Sequence, residues 1–144
     1  MNLAQAADGR RNQRPAPHPE SGVALIEFAF VLPILLVLAM GMLDFGRAFH
    51  TKSLLDQAAR EGARVAVVTT PDLDIVQNRV SAVLASGGIT PTSVTVDGPD
   101  AANMVTVTVN ATFTFITPGV FALVGGSYGN TIPMAGQTVM RFEG

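Results

Sequence analysis

The sequence predicts an α+β fold in which one long N-terminal transmembrane helix continues into a small domain with an antiparallel sheet of about three strands. Three observations predict it. Val23 to Leu43 is apolar apart from Glu27. Asp44 to Val68 places apolar or small residues at helical spacing. Asn103 to Ile116 alternates apolar and polar residues, the period of a strand with one solvated face.

The apolar run comes first. At about 1.5 Å per residue, Val23 to Leu43 reaches roughly 31 Å, close to the thickness of a bilayer's hydrocarbon core. A buried helix of a soluble protein would carry a polar face, and this run has none. A cleaved secretory signal has a shorter apolar region of about 7–15 residues, and Ala39-Met40-Gly41 is a weak small-x-small exit. A membrane span fits best. Pro33 removes one backbone hydrogen bond inside the run. It reads equally as a plain kink or as a local unwinding used in subunit packing. Arg10, Arg11 and Arg14 precede the span, while Arg47, Lys52 and Arg60 follow it, so charge alone does not orient it. Residues 1–22 form a polar, arginine-bearing leader, rich in Pro, Gln and Ala, that is expected to be disordered.

Asp44 to Val68 continues the helix out of the bilayer. Phe45, Phe49, Leu55, Ala59, Gly62 and Ala66 fall on one side, with Arg47, Lys52, Asp56, Arg60 and Arg64 around the rest of the cylinder. The combined helix would be roughly 70 Å long. Ala58-Ala59 and Gly62-Ala63 are small enough for close approach by a sheet or a second helix.

Residues 69–144 supply the small α+β domain. Thr70-Pro71-Asp72 reads as a helix start, with Thr70 as N-cap and Pro71 in the first turn. Leu73, Val76, Val80, Val83 and Leu84 form its apolar stripe, and Gly87-Gly88 ends it. Ser93 to Val96 is a short strand, and Asp97-Gly98-Pro99-Asp100 is a turn. In the long strand Val105, Val107, Val109, Ala111, Phe113 and Phe115 share one face. A short helix from Thr117-Pro118 through Val124, a turn at Gly125 to Gly129 and a last strand from Thr131 to Phe142 follow. Pro133 makes the start of that strand an edge or a bulge.

Composition narrows the function. The chain has net charge −2, no cysteine and two histidines, His18 and His50. No basic stripe invites nucleic acid, and neither a disulfide framework nor a cysteine-based zinc site can be built. Gly125-Gly126-Ser127-Tyr128-Gly129 spells a G-x-S-x-G pattern, but no strand-to-helix elbow accompanies it. Asp72 and Asp74 open a helix, where acids favour the dipole over a metal. The Asn110-Ala111-Thr112 sequon lies inside the best strand. No catalytic, cofactor-binding or metal-binding residue is therefore assigned, and no small-molecule substrate is expected.

Glu27 remains, an acid within an apolar helix. Such residues are functional candidates by default. Gly22-Val23-Ala24-Leu25-Ile26-Glu27-Phe28 resembles the processing site of type IV prepilins, in which a membrane peptidase cuts after the glycine. The resemblance implies cleavage between Gly22 and Val23. The new ammonium on Val23 would then pair with Glu27 of a neighbouring subunit, offsetting the cost of burying either charge alone and setting register.

Over a longer stretch the chain resembles the TadE-like family of tight-adherence (Flp-type) pilus assembly proteins. The matching blocks are Gly22 to Ala29, Val31-Leu32-Pro33, Asp44-Phe45-Gly46-Arg47-Ala48 and Ala58 to Arg64. Thr131 to Ala135 and Thr138 to Arg141 resemble the family's closing strand. Glu20 and Ser21 depart from it, since a basic residue often precedes the glycine. The resemblance implies a pilin- or pseudopilin-like plan and a single-pass protein of the bacterial cytoplasmic membrane, with its C-terminal domain extracytoplasmic. The implied partners are the lipid bilayer, other pilin-like or Tad secretion-system membrane subunits and a prepilin peptidase. The alternative is a membrane-tethered extracytoplasmic binding module with no part in pili.

Overall fold

A computed structural model of the chain describes residues 20–68, 72–122 and 129–142. The arginines of the leader, His18, Thr70, Pro71 and the Gly125 to Tyr128 part of the glycine-serine pattern lie outside the described residues. Six elements follow in order: α1 (Glu20–Val68), α2 (Leu73–Ala85), β1 (Ser93–Asp97), β2 (Met104–Thr114), α3 (Thr117–Ala122) and β3 (Thr131–Arg141). The architecture is the expected α+β type, with a long N-terminal apolar helix followed by a small domain holding a three-stranded antiparallel sheet.

The chain divides into two compact units, the first ending at Leu35 and the second running from Leu36 to Gly144. What is described of the first is helix alone. It begins at Glu20, so Glu20 to Gly22 are helical, whereas the sequence placed them in the leader. Its side chains from Gly22 to Leu35 are all exposed. The helical pattern runs through Pro33 without a break, so no unwound turn is present there.

The second unit holds the core. Its sheet has the order β1-β2-β3, with β2 in the centre. Ser93 pairs with Asn110 and Asp97 with Thr106 on one side of β2, and Met104 pairs with Arg141 and Thr114 with Thr131 on the other. Strand alternation puts Val105, Val107, Val109, Ala111 and Phe113 on the buried face, as their spacing predicts. The α1 residues Leu55, Ala58, Ala59, Ala63 and Ala66 and the α2 residues Val76, Val80 and Leu84 complete one contiguous core with that face. Val94 and Val96 of β1 and Met134 and Met140 of β3 pack around its edge. Pro133 lies in an edge strand, where a missing ladder donor is tolerated.

Small residues let α1 come close. A Cβ added at Gly62 would meet side-chain atoms of Val80, at 2.9 Å, and of Val76 and Val107, each at 3.3 Å. The small-residue stretch thus packs against both the sheet and α2. Gly136 of β3 is tighter, since a Cβ there would collide with the Leu55 carbonyl group and lie 2.8 Å from the Asp56 amide nitrogen. At the same crossing Lys52 Nζ donates to the Ala135 carbonyl and to Asp56 Oδ1, both at 2.7 Å. Arg79 ties α2 to Glu61 of α1 at 3.0 Å, an exposed pair of small energetic weight.

Two expectations need correction. Phe45 and Phe49 are 75% and 71% exposed rather than part of the packed stripe. The buried line on α1 instead runs Asp44, Thr51, Leu54-Leu55, Ala58-Ala59, Gly62-Ala63 and Ala66. Each phenylalanine lies one residue, about 100°, away from that line or its half-buried member Ala48. The cap of α2 is Asp72, not Thr70. Its side chain accepts from the Asp74 amide at 3.0 Å, satisfying one of the free donors of the first turn. α2 is correspondingly short, and Leu73 stays exposed ahead of the buried Val76, Val80 and Leu84.

The turn between β1 and β2 is held by Asp100, whose Oδ1 accepts from the amides of Ala102 at 2.9 Å and Met104 at 2.8 Å. Gly98 there has a φ of +117°, a conformation that L side chains rarely adopt.

Gly136→Ala is expected to lower stability by about 1–3 kcal/mol, because backbone, not a flexible side chain, fills the space. Chemical denaturation of the detergent-solubilised full chain checks this against Gly119→Ala, whose added Cβ meets nothing within 4 Å.

Candidate functional site

The residues singled out in the sequence occupy the uncovered part of α1. From Gly22 to Leu43 every side chain is exposed except the half-buried Val37 and Met40. The stretch is apolar enough and long enough to span a bilayer, with a mean hydropathy of 2.7 over its best window. Gly22 and Val23 lie near its start, Glu27 stands one helical turn after Val23, and Pro33 lies further along. Among the described residues Glu27 has no side-chain hydrogen bond or ion pair. All four lie on the helix of the first unit, whose side chains from Gly22 to Leu35 are exposed.

A second feature stands where that row ends. Asp44 is the first residue after the apolar run, and it is 3% exposed. It falls on the buried line of α1, two turns ahead of Thr51. Its carboxylate reaches the connection between β2 and α3. Oδ2 accepts from the Thr117 amide at 2.7 Å, the Thr117 hydroxyl at 2.6 Å and the Ile116 amide at 2.9 Å. Oδ1 shares the Ile116 amide at 2.9 Å and takes Arg47 Nη1 at 3.1 Å. Asp44 therefore does for the first turn of α3 what a local N-cap does elsewhere, from a different helix.

Arg47 completes the cluster. It stands three residues after Asp44, the spacing that makes helix neighbours. Its guanidinium lies 5.2 Å from the centre of the Phe113 ring and its Nη1 is 3.4 Å from the Thr114 carbonyl. Phe113 in turn meets Phe115 edge to face, with ring centres 5.0 Å apart. One carboxylate, one guanidinium and two rings thus fasten the end of β2 to α1.

The electrostatics of Asp44 follow from opposed effects. Burial pushes its carboxyl up. The Thr117 hydroxyl and amide, the Ile116 amide and the Arg47 guanidinium all favour the charged form and outweigh burial, leaving the pKa lowered from 3.8 to about 2. The sequence did not expose this role. Asp44 reads there as the polar start of the extension, and only its place directly after the apolar run sets it apart.

The remaining candidates are elsewhere. Asp72 is engaged as the α2 cap, and Asp74 lies in that helix's first turn. His50 is exposed in a polar recess that also includes Arg47 and Thr90. Asn110 sits in β2 and donates to Ser93 Oγ at 3.0 Å, so the sequon is part of the sheet. Among the described residues no group of three or more His, Asp or Glu side chains could hold a metal ion.

Residues 22–64 match the model of the TadE-like protein family.

The match bears out the resemblance carried by the four N-terminal blocks, all of which fall inside it. It takes in Gly22, Glu27 and Pro33, and the Asp44 and Arg47 pair of the cluster. It ends at Arg64 and does not extend to the C-terminal strand. No curated protein and no solved structure matches the chain. The TadE-like segment is thus the uncovered helix plus most of the α1 surface that packs on the sheet.

Asp44→Ala leaves four donors without their acceptor and is expected to cost about 3–5 kcal/mol. Asp44→Asn keeps an acceptor, loses the charge and is expected to cost about 1.5–3 kcal/mol. A lowered folded-state pKa means the carboxylate stabilises fully above its unfolded value of 3.8, and that contribution is lost as pH falls toward about 2. The stability gap between the native chain and Asp44→Asn should be flat near neutrality and shrink across that window. Denaturant titrations at stepped pH measure it.

Proposed function

We propose that this chain is a membrane-anchored structural component of tight-adherence (Flp-type) pilus biogenesis or secretion, a TadE-like minor pilin or pseudopilin. The observation that carries the reading is the family match over residues 22–64, coinciding with an apolar helix that has no cover of its own and holds a single acid. In this reading the helix spans the bacterial cytoplasmic membrane once and the globular unit lies outside the cytoplasm. The protein performs no catalysis. Its partners are other pilin-like or Tad secretion-system membrane subunits.

The chemistry of the anchor supports a packing role. An acid inside an apolar helix is costly in hydrocarbon, and a partner charge lowers that cost. Cleavage after Gly22 by a prepilin peptidase would create that partner, an ammonium on Val23. Paired with Glu27 of a neighbour, it would fix how far one helix is shifted along the next. Pro33 frees a carbonyl that a neighbouring helix can satisfy.

Glu27→Leu keeps the helix long and apolar, so insertion should be unchanged. The expected outcome is loss of pilus formation or of co-purification with the membrane machinery, with the protein still in the carbonate-resistant membrane fraction. Unchanged assembly would instead favour the tethered binding module. The mature N-terminus of protein purified from its native membrane is expected at Val23. An intact Gly22-Val23 bond would remove the processing step from the account.

A further inference from the structure

The groove beside the exit of α1 has a chemistry that the assembly reading does not use. It is an open groove of about 690 Å³, lined mainly by Gly41, Phe45 and Ala48 of α1, Phe115 just past β2, Pro118 of α3 and Ile132 of β3, with Asp44 and Thr117 also in its wall. Almost all of that lining is apolar. Around it Phe45 is 75% exposed, Ile116 47% and Ile132 39%. A soluble domain rarely leaves large apolar side chains grouped in one contiguous patch.

Its height along α1 identifies the occupant. Asp44 is the first residue beyond the apolar run, and its hydrogen bonds hold the Ile116 and Thr117 amides at that same level. The Phe113–Ile132 and Thr114–Thr131 pairs bring the start of β3 to the same end of the sheet. At about 1.5 Å per residue, Phe45 stands roughly 3 Å beyond Leu43. The headgroup layer on each side of a bilayer is about 5–8 Å deep. Phe45, Ile116, Pro118 and Ile132 therefore fall within it if Val23 to Leu43 fills the hydrocarbon. Cations follow in the right order, Arg47 about 6 Å and Lys52 about 13 Å beyond Leu43, each with its side chain about half exposed. Apolar rings first and cations further out is the sequence of environments that a side chain meets on leaving lipid.

We propose that this end of the globular unit rests on the lipid surface of the leaflet from which α1 emerges, with Phe45, Ile116, Pro118 and Ile132 set among the headgroups. The unit is then docked on the bilayer rather than suspended above it. The Asp44 and Arg47 cluster is the brace that keeps the β2–α3 connection at that level. The continuity of the apolar surface with the membrane span favours lipid over a second protein. The proposal rests on the membrane-anchor reading, and its test separates the two.

The chain has no cysteine, so single labels are simple to place. Three full-length variants would each carry one environment-sensitive fluorophore: Ile116→Cys at the proposed contact, Leu38→Cys within the apolar run and Ala102→Cys at the opposite end of the sheet. Each is reconstituted at high dilution in vesicles of phosphatidylethanolamine and phosphatidylglycerol, with or without lipids spin-labelled near the headgroup. The 116 probe is expected to shift to the blue and to lose more than half its emission to the quencher, while the 102 probe loses almost none. Quenching at 38 without quenching at 116 overturns the docking and leaves the anchor standing. Absence of quenching at both positions overturns the anchor and the docking together. A blue shift at 116 that grows with protein density and is insensitive to the lipid quencher also overturns the proposal, in favour of a protein partner.

Discussion

A carboxylate taken out of water must be met by donors, and in this fold that requirement falls where the exposed apolar run of α1 gives way to its packed face. Asp44 has apolar helix on one side and a packed core on the other. Its four donors come from Arg47 one turn away and from Ile116 and Thr117, more than seventy residues away in sequence. Because those two amides lie just past the end of β2, at the start of α3, the same bonds set where the sheet ends along the helix. The registers of β2 with both neighbours then fix the rest of the sheet. Without the carboxylate, helix and sheet would still share an apolar face, and Lys52 on the Ala135 carbonyl would be the main polar contact left to define how far one slides along the other.

The packing beyond Asp44 is governed by how little side chain α1 presents. Alanines and Gly62 line its buried face, and Gly136 answers them from β3. Close approach takes the place of bulk. Most of the large residues of the core come from α2 and β2, as Val76, Val80, Leu84, Val105, Val107 and Val109, with Leu55 the large contribution of α1. One helix thus serves two environments with two compositions. Large apolar side chains face outward up to Leu43, and small ones face inward from Ala58 to Ala66. The TadE-like match spans both parts.

Most of this was legible in the sequence, for physical reasons that differ by element. The apolar run and β2 were plain because burial and exposure there follow simple periods, and the inward side chains of β2 from Val105 to Phe113 are the expected ones. Strand ends and helix caps were less so. The α2 cap fell on Asp72 because a local carboxylate competes well for the first-turn amides, and choosing between neighbouring capping residues needs the backbone. Phe45 and Phe49 read as inward because they are apolar, yet each stands about 100° off the line of α1 that packs on the sheet. The Asp44 cluster was hidden for a plainer reason. Three of its four donors are two backbone amides and a threonine hydroxyl, which carry no sequence signature. The row from Gly22 to Pro33 is recognisable as a pattern, and its side chains are exposed on the helix of the first unit.

The central claim is that α1 passes from lipid into a core and that Asp44 fastens the sheet at the crossing. Hydrogen–deuterium exchange on the full chain in phospholipid nanodiscs tests it most directly. The account predicts slow exchange for the helical amides of residues 24–43 and for the amides of Ile116 and Thr117, with the latter two becoming fast in Asp44→Ala while the span stays slow. Fast exchange at Ile116 and Thr117 in the unaltered chain, or a span that exchanges as though in water, would contradict it.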